Sequence, residues 1–157
     1  MKLYLMQHGR PVSKEENAER PLSDQGANDI RRIADFLEKG GVRIDEIIHS
    51  DKTRARQTAE IMNSRVNPGG KPIEKSCLSP LDDVKKIADH IRKREKDLMI
   101  VGHLPHLGKL SSLLVCGSES IPVVTFQQGG VVCFLRANDG VWTVAWMLVP
   151  EMILSQA

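Results

Sequence analysis

The sequence predicts an α/β fold, a three-layer sandwich in which a mixed, mainly parallel sheet carries helices on both faces. Strand-length apolar runs alternate with stretches of helical periodicity along most of the chain. Those runs, Leu3-Tyr4-Leu5-Met6 and Leu98-Met99-Ile100-Val101, are apolar throughout, as strands covered on both faces must be. Near the end, two further runs flank Ala137-Asn138-Asp139-Gly140, a hairpin signal that predicts an antiparallel edge.

Taken in order, residues 2–7 form the first strand. Ser23 is placed to cap a helix whose inner face is Ala27, Ile30, Ile33, Ala34 and Leu37, and Gly40-Gly41 ends it. A strand over 44–49 feeds a helix over 51–63, which the turn cluster Asn67-Pro68-Gly69-Gly70 stops. A short extended piece follows. After Pro80, the spacing of Val84, Ile87, Ala88 and Ile91 predicts a third helix, closed by Arg92-Lys93-Arg94, cations favourable at a helix C-terminus. The strand over 98–102 leads to a helix from Pro105 to Val115, with proline in the first turn. Strands over 131–135 and 141–146 complete the sheet. No repeat, linker or low-complexity stretch divides residues 1–157, which read as a single domain.

Bulk properties agree with a compact enzyme and exclude little else. The 157 residues are 41% hydrophobic and 27% charged, enough for a real core. A net charge of +2, from 22 basic and 20 acidic residues, gives no field that argues for nucleic acid or a membrane surface. No run approaches the roughly 18 apolar residues of a spanning helix, and the run after Met1-Lys2 is too short for a signal peptide, so a cytoplasmic protein is expected. Cys77, Cys116 and Cys133 are odd in number and lack a C-x-x-C spacing, which fits buried thiols better than a disulfide framework or zinc knuckle.

Two of the strands stop at a histidine: Gln7-His8-Gly9 and Gly102-His103-Leu104-Pro105. Ligands of open α/β sheets bind beyond the carboxyl ends of the strands, so both imidazoles are expected at one site. A third strand end opens Ser50-Asp51-Lys52-Thr53-Arg54-Ala55-Arg56-Gln57-Thr58, where Arg54 joins a guanidinium fork to a helix N-terminus. Arg56 reads as a surface residue. Two histidines and an arginine at adjacent strand ends describe a site for a phosphoryl group, which catalysis stabilises with preorganised cations and donors. His8 is placed as a nucleophile, neutral and with one ring nitrogen free. Gly9 leaves room there for a phosphoryl group to approach the backbone. His106 follows His103 by three residues and invites a metal reading with His8, but Pro105 intervenes and no acidic or sulfur ligand sits at a helical interval. His49 and His90 read as incidental.

These motifs, with Arg20-Pro21-Leu22-Ser23-x-x-Gly26 before the first helix and Leu78-x-Pro80 and Asp83 before the third, together resemble the histidine phosphatase (phosphoglycerate mutase-like) superfamily, most closely its small SixA-type phosphohistidine phosphatases. The resemblance runs in order through essentially the whole chain. It implies that His8 is the nucleophile, phosphorylated transiently, and that His103 and Arg54 hold the phosphoryl oxygens. It further implies that Arg20 adds to the pocket rim, that no metal or organic cofactor takes part, and that the substrate is a phosphohistidine-bearing protein or a small phosphoester. One departure stands out. The family signature is Arg-His-Gly, and Gln7 replaces its arginine. A charge-assisted bond of about 1.5–3 kcal/mol becomes a neutral one of about 0.5–1.5 kcal/mol, with Arg10 the nearest cation to fill the gap. The substitution leaves two readings: a phosphatase with reduced activity, or a non-catalytic module that binds phosphate or phosphohistidine. No obvious general acid is offered beyond Asp82 or Asp83. A phosphohistidine substrate, with its weak nitrogen–phosphorus bond, needs little acid and suits the shallow, open site expected of so short a chain.

Overall fold

The computed structural model describes residues 1–153. Six strands form one sheet in the order β3-β2-β4-β1-β5-β6. They are β1 (Lys2–Gln7), β2 (Glu46–His49), β3 (Ile73–Glu74), β4 (Leu98–Gly102), β5 (Val131–Arg136) and β6 (Trp142–Leu148). The first four strands run parallel to one another, β5 is antiparallel to β1, and β6 is antiparallel to β5. The helices are α1 (Asp24–Lys39), α2 (Thr53–Val66), α3 (Val84–Arg92) and α4 (His106–Cys116), with a 3₁₀ turn over Pro150–Met152. This is the mixed, mainly parallel sandwich that the alternation of periods predicts.

The apolar runs are apolar because both faces of the sheet are covered. Leu3 and Leu5 of β1 join Ile100, Phe134 and the α3–α4 side chains Ile87, Ile91, Leu107 and Leu110. Tyr4 and Met6, pointing the other way, join Met99, Val101 and the α1–α2 side chains Ile30, Ile33, Ala59 and Met62. Alternate side chains of one strand thus enter two cores, and each fully buried side chain contributes about 1.5–3 kcal/mol relative to exposure. Strand β1 is central. Gln7 lies opposite Gly102 of β4, and Met6 opposite Val131 of β5, so the end of β1 is fixed from both sides.

Local signals account for the helix limits. Ser23 caps α1, its Oγ accepting from the Gly26 amide at 3.0 Å, and the chain leaves the helix through Gly40 and Gly41, the latter at φ 76°. Several limits differ from the sequence reading. Strand β2 begins at Glu46 rather than 44, because the Ile44 amide donates to Val66 at the end of α2. Helix α2 starts at Thr53, with Lys52 at its N-cap, and continues to Val66, which is fully buried. Pro105 occupies the N-cap of α4 and not its first turn. Strand β6 extends to Leu148, and the register against β5 shifts between Cys133 and Phe134. Among the described residues no helix is long and apolar enough to cross a membrane.

Candidate active site

His8 follows β1, Ser50 follows β2, and His103 follows β4, three neighbouring parallel strands whose carboxyl ends open to the same side. The His8 amide donates to Gly102 at 3.1 Å, tying the nucleophile candidate to the strand that carries the other imidazole. The two rings lie 4.9 Å apart between centroids and are tilted by 54°. Both are buried, His8 at 6% exposure and His103 at 2%, so the pair is less open than the sequence reading expects.

The tautomer of His8 is set twice over. Its Nδ1 lies 2.7 Å from the Gly9 carbonyl, which can only accept, so Nδ1 carries the hydrogen. Its Nε2 faces Nε of Arg54 at 3.3 Å, and a guanidinium can only donate, so Nε2 holds the lone pair. His103 is tied by its Nε2 to Ser50 Oγ at 2.5 Å, and its Nδ1 is buried without a partner. Burial, and then the neighbouring cations Arg54 and Arg20, push His8 down to about 4 against the pull of the Gly9 carbonyl. Burial pushes His103 down to about 3, helped by His8, Arg54 and Lys52 and opposed by Asp51. Arg54 is itself lowered by burial and by Arg20. At neutral pH both imidazoles are therefore uncharged. Neither Arg20 nor Arg54 takes part in an ion pair among the described residues, so their charge is directed at whatever anion arrives.

Thr58 joins the two halves of this arrangement. From inside α2 its Oγ1 accepts from the Gly9 amide at 3.0 Å and donates to the Arg54 carbonyl at 2.8 Å. Gln57 beside it accepts from the Leu22 amide at 2.7 Å, anchoring the segment that leads into α1. A Cβ on Gly26 would fall 2.1 Å from the Arg10 carbonyl, so only glycine lets α1 approach the chain after His8. Gly129, at φ 75°, donates to the Gln7 and His8 carbonyls at 3.1 Å and closes the other side.

The predicted residues fall into two groups. His8, His103 and Arg54 come together, and Arg20, held at φ 47° with Nε on the Val12 carbonyl, is near enough for its charge to act on His8 and Arg54. Gln7 ends β1 directly before His8, and its Oε1 is buried and unpartnered. Arg10 does not join them: its side chain is exposed, and it is the backbone carbonyl that is used, accepting from Ser23. The reason given for Gly9 also changes, since a Cβ there would meet Ile30 at 2.9 Å, Leu22 and the Gly26 carbonyl, a constraint from α1 packing. Asp83 is the N-cap of α3, accepting from Lys85, and Asp82 accepts from the Ser79 amide, so both carboxylates serve the backbone. His106 is fully buried, with neither ring nitrogen partnered by a side chain, and among the described residues no three His, Cys, Asp or Glu side chains are grouped to hold a metal ion. Sequence reasoning passed over Ser50 and Thr58. Their signal was present in the Ser50-x-x-x-Arg54-x-x-Gln57-Thr58 spacing, which puts Thr58 one helical turn after Arg54.

Similarity to known proteins extends over nearly the whole chain. The model of the histidine phosphatase superfamily (branch 1) matches residues 3–79. The phosphohistidine phosphatase SixA of Escherichia coli (strain K12) is 25% identical over 155 residues, 96% of this chain and 94% of that protein. An uncharacterised protein of Picosynechococcus is 30% identical over 124 residues, 74% of each chain. Among solved structures, the protein histidine phosphatase SixA complexed with tungstate aligns with a TM-score of 0.85 at 22% identity, covering 96% of this chain and 98% of that one. A phosphoserine phosphatase from Entamoeba histolytica aligns with a TM-score of 0.71 at 18% identity, over 98% and 99% of the two chains. With the motif-bearing first half matched and the alignment to a small relative running nearly end to end, the chain belongs to the histidine phosphatase superfamily, in its SixA-type branch.

Proposed function

We propose that this protein is a phosphatase that hydrolyses phosphohistidine in a partner protein through a covalent phospho-His8 intermediate, within a single domain and with no metal or organic cofactor. The observation that carries the reading is the fixed tautomer of His8, whose Nε2 lone pair stands beside Arg54 and across from His103. The name of the E. coli relative supports the substrate class. In the first step Nε2 forms a bond to phosphorus, and the electron pair of the cleaved phosphorus–nitrogen bond leaves with the substrate ring. Arg54 donates to the transferring oxygens, and a dianion beside His103 would favour its protonated form, making it a further donor. Because the Gly9 carbonyl keeps the hydrogen on Nδ1, the phosphorylated ring is cationic and is a good leaving group in the second step. Water then attacks phosphorus, Nε2 recovers its electron pair, and dihydrogen phosphate departs with both protons of the water. No separate base is needed.

The non-catalytic module remains the competing reading, and Gln7 is the observation that favours it. Its buried, unpartnered Oε1 brings an acceptor where the family has a cation. One experiment separates the two. Rapid quenching during turnover of a phosphohistidine peptide is expected to trap an acid-labile, alkali-stable phosphoryl group on His8, and His8→Ala to lose turnover by roughly three or more orders of magnitude. Full activity in His8→Ala refutes the mechanism. Tight phosphate binding without turnover in the wild-type protein supports the binding module.

A further inference from the structure

A carboxylate stands at the edge of the proposed site, in a position the mechanism above does not use. Asp51 directly follows Ser50, whose Oγ is 2.5 Å from His103, and lies three residues before Arg54. Its side chain is half exposed, 3.3 Å from Lys52 Nζ, and its Oδ1 accepts from Ser79 Oγ at 3.4 Å. With Lys75, Ser79, Asp82 and Lys86 it lines a cleft of about 520 Å³ between the start of α2 and the segment before α3. Asp82, across that cleft, is occupied by the Ser79 amide. Asp51 is also the acidic group whose field reaches both His103 and Arg54.

We infer that Asp51 selects a phosphorylated imidazole, by accepting a hydrogen bond from the ring nitrogen that does not carry phosphorus. The inference rests on the phosphohistidine reading above and assigns the leaving group to the cleft beside Asp51. A phosphohistidine ring carries phosphorus on one nitrogen and can carry a proton on the other. A carboxylate facing that second nitrogen favours the protonated ring. When His8 Nε2 bonds to phosphorus, the electron pair of the breaking bond passes to the leaving nitrogen, the far nitrogen keeps its proton, and a neutral imidazole departs. An aryl phosphate presents no such donor. Toward an ester, Asp51 offers only repulsion of the dianion, softened by Lys52, and so widens the preference for phosphohistidine.

The test is Asp51→Asn in the full chain, a substitution of matched size on an exposed side chain. kcat/KM is measured for a phosphohistidine peptide and for p-nitrophenyl phosphate. The ratio of the two, peptide over ester, is expected to fall by about tenfold or more. A ratio unchanged within about twofold overturns the inference, including the case where both rates fall together, because Asp51 then acts by placing the Lys52–Arg54 segment and does not read the leaving group. Wild-type activity on the ester with none on the peptide overturns the phosphohistidine reading itself, a result distinct from an unchanged ratio in the variant.

Discussion

Thr58→Val removes one oxygen from the joint between His8 and Arg54 while nearly conserving volume. Thr58 is fully buried, and its hydroxyl accepts from the Gly9 amide at 3.0 Å. The Arg54 carbonyl, which also takes that hydroxyl, retains its ordinary helical partner four residues on. The loss therefore falls on Gly9, a buried donor left unpaired at a cost of about 1–3 kcal/mol. At 2–4 °C per kcal/mol for a domain of this size, the melting temperature is expected to drop by about 4–8 °C for a 2 kcal/mol loss. Activity should fall further than stability does. The Gly9 carbonyl orients His8, and a displacement of about 1 Å at a reacting group can cost 10²-fold, so a loss of tenfold or more in kcat/KM is expected with an aryl phosphate. Thr58→Ser is the control. Hydrophobic burial alone ranks valine above serine, whereas the hydroxyl bridge ranks serine above valine in both stability and turnover. Thermal unfolding and steady-state kinetics on the two variants decide the order, and a valine variant matching wild type in both would refute the bridge.

Two further outcomes follow from the same site. Gln7→Arg restores a charge beside the transferring oxygens and removes the unpartnered Oε1, so turnover of phosphohistidine is expected to rise by about 10- to 100-fold, or 1.4–2.8 kcal/mol, while Arg10→Ala, on an exposed side chain, should change little. A Gln7→Arg protein that stays inert but still binds phosphate would instead favour the binding module. In the free protein, His8 at about 4 and His103 at about 3 both lie below the unfolded value near 6.5, so the unfolded chain binds more protons as pH falls. Their contribution to stability is fully present above about pH 6.5 and declines as pH drops toward those folded values. Proton NMR of the ring hydrogens should show neither residue titrating between about pH 8 and pH 6, and a midpoint near 6.5 for either would contradict the burial argument.

What the sequence makes legible here is what short-range pattern encodes. The runs ending in His8 and His103 are apolar on both faces because two cores meet there, and period alone then places their histidines at one end of the sheet. Ser23, Gly40 and Gly41 act within one turn of the helix they bound, and their signal is equally local. The partners that finish the site are separated by 49 residues between Gly9 and Thr58 and by 53 between Ser50 and His103, and no spacing rule reveals such pairs. Arg10 shows the opposite error. Nearness in sequence to His8 suggests a role for its guanidinium, but the Gly26 approach consumes its backbone and leaves the side chain in solvent.

The central place of β1 governs when the molecule can become competent. The nucleophile candidate follows the earliest strand of the sheet, yet that strand pairs on one side with residues 98–102 and on the other with 131–135. During synthesis from the N-terminus, β1 therefore waits with open hydrogen-bonding edges until residues 98–102 and then 131–135 have been made. Helices α1 and α2 can form early from local contacts, but the candidate site closes only with these late, long-range pairings, which makes assembly slow relative to helix formation. A ribosomal pause or premature stop between β4 and residue 131 would leave the β5-side edge of an apolar β1 unpaired, a template for association with other chains. Closure of the candidate site and protection from aggregation are thus one event in this topology, the docking of β5 beside β1.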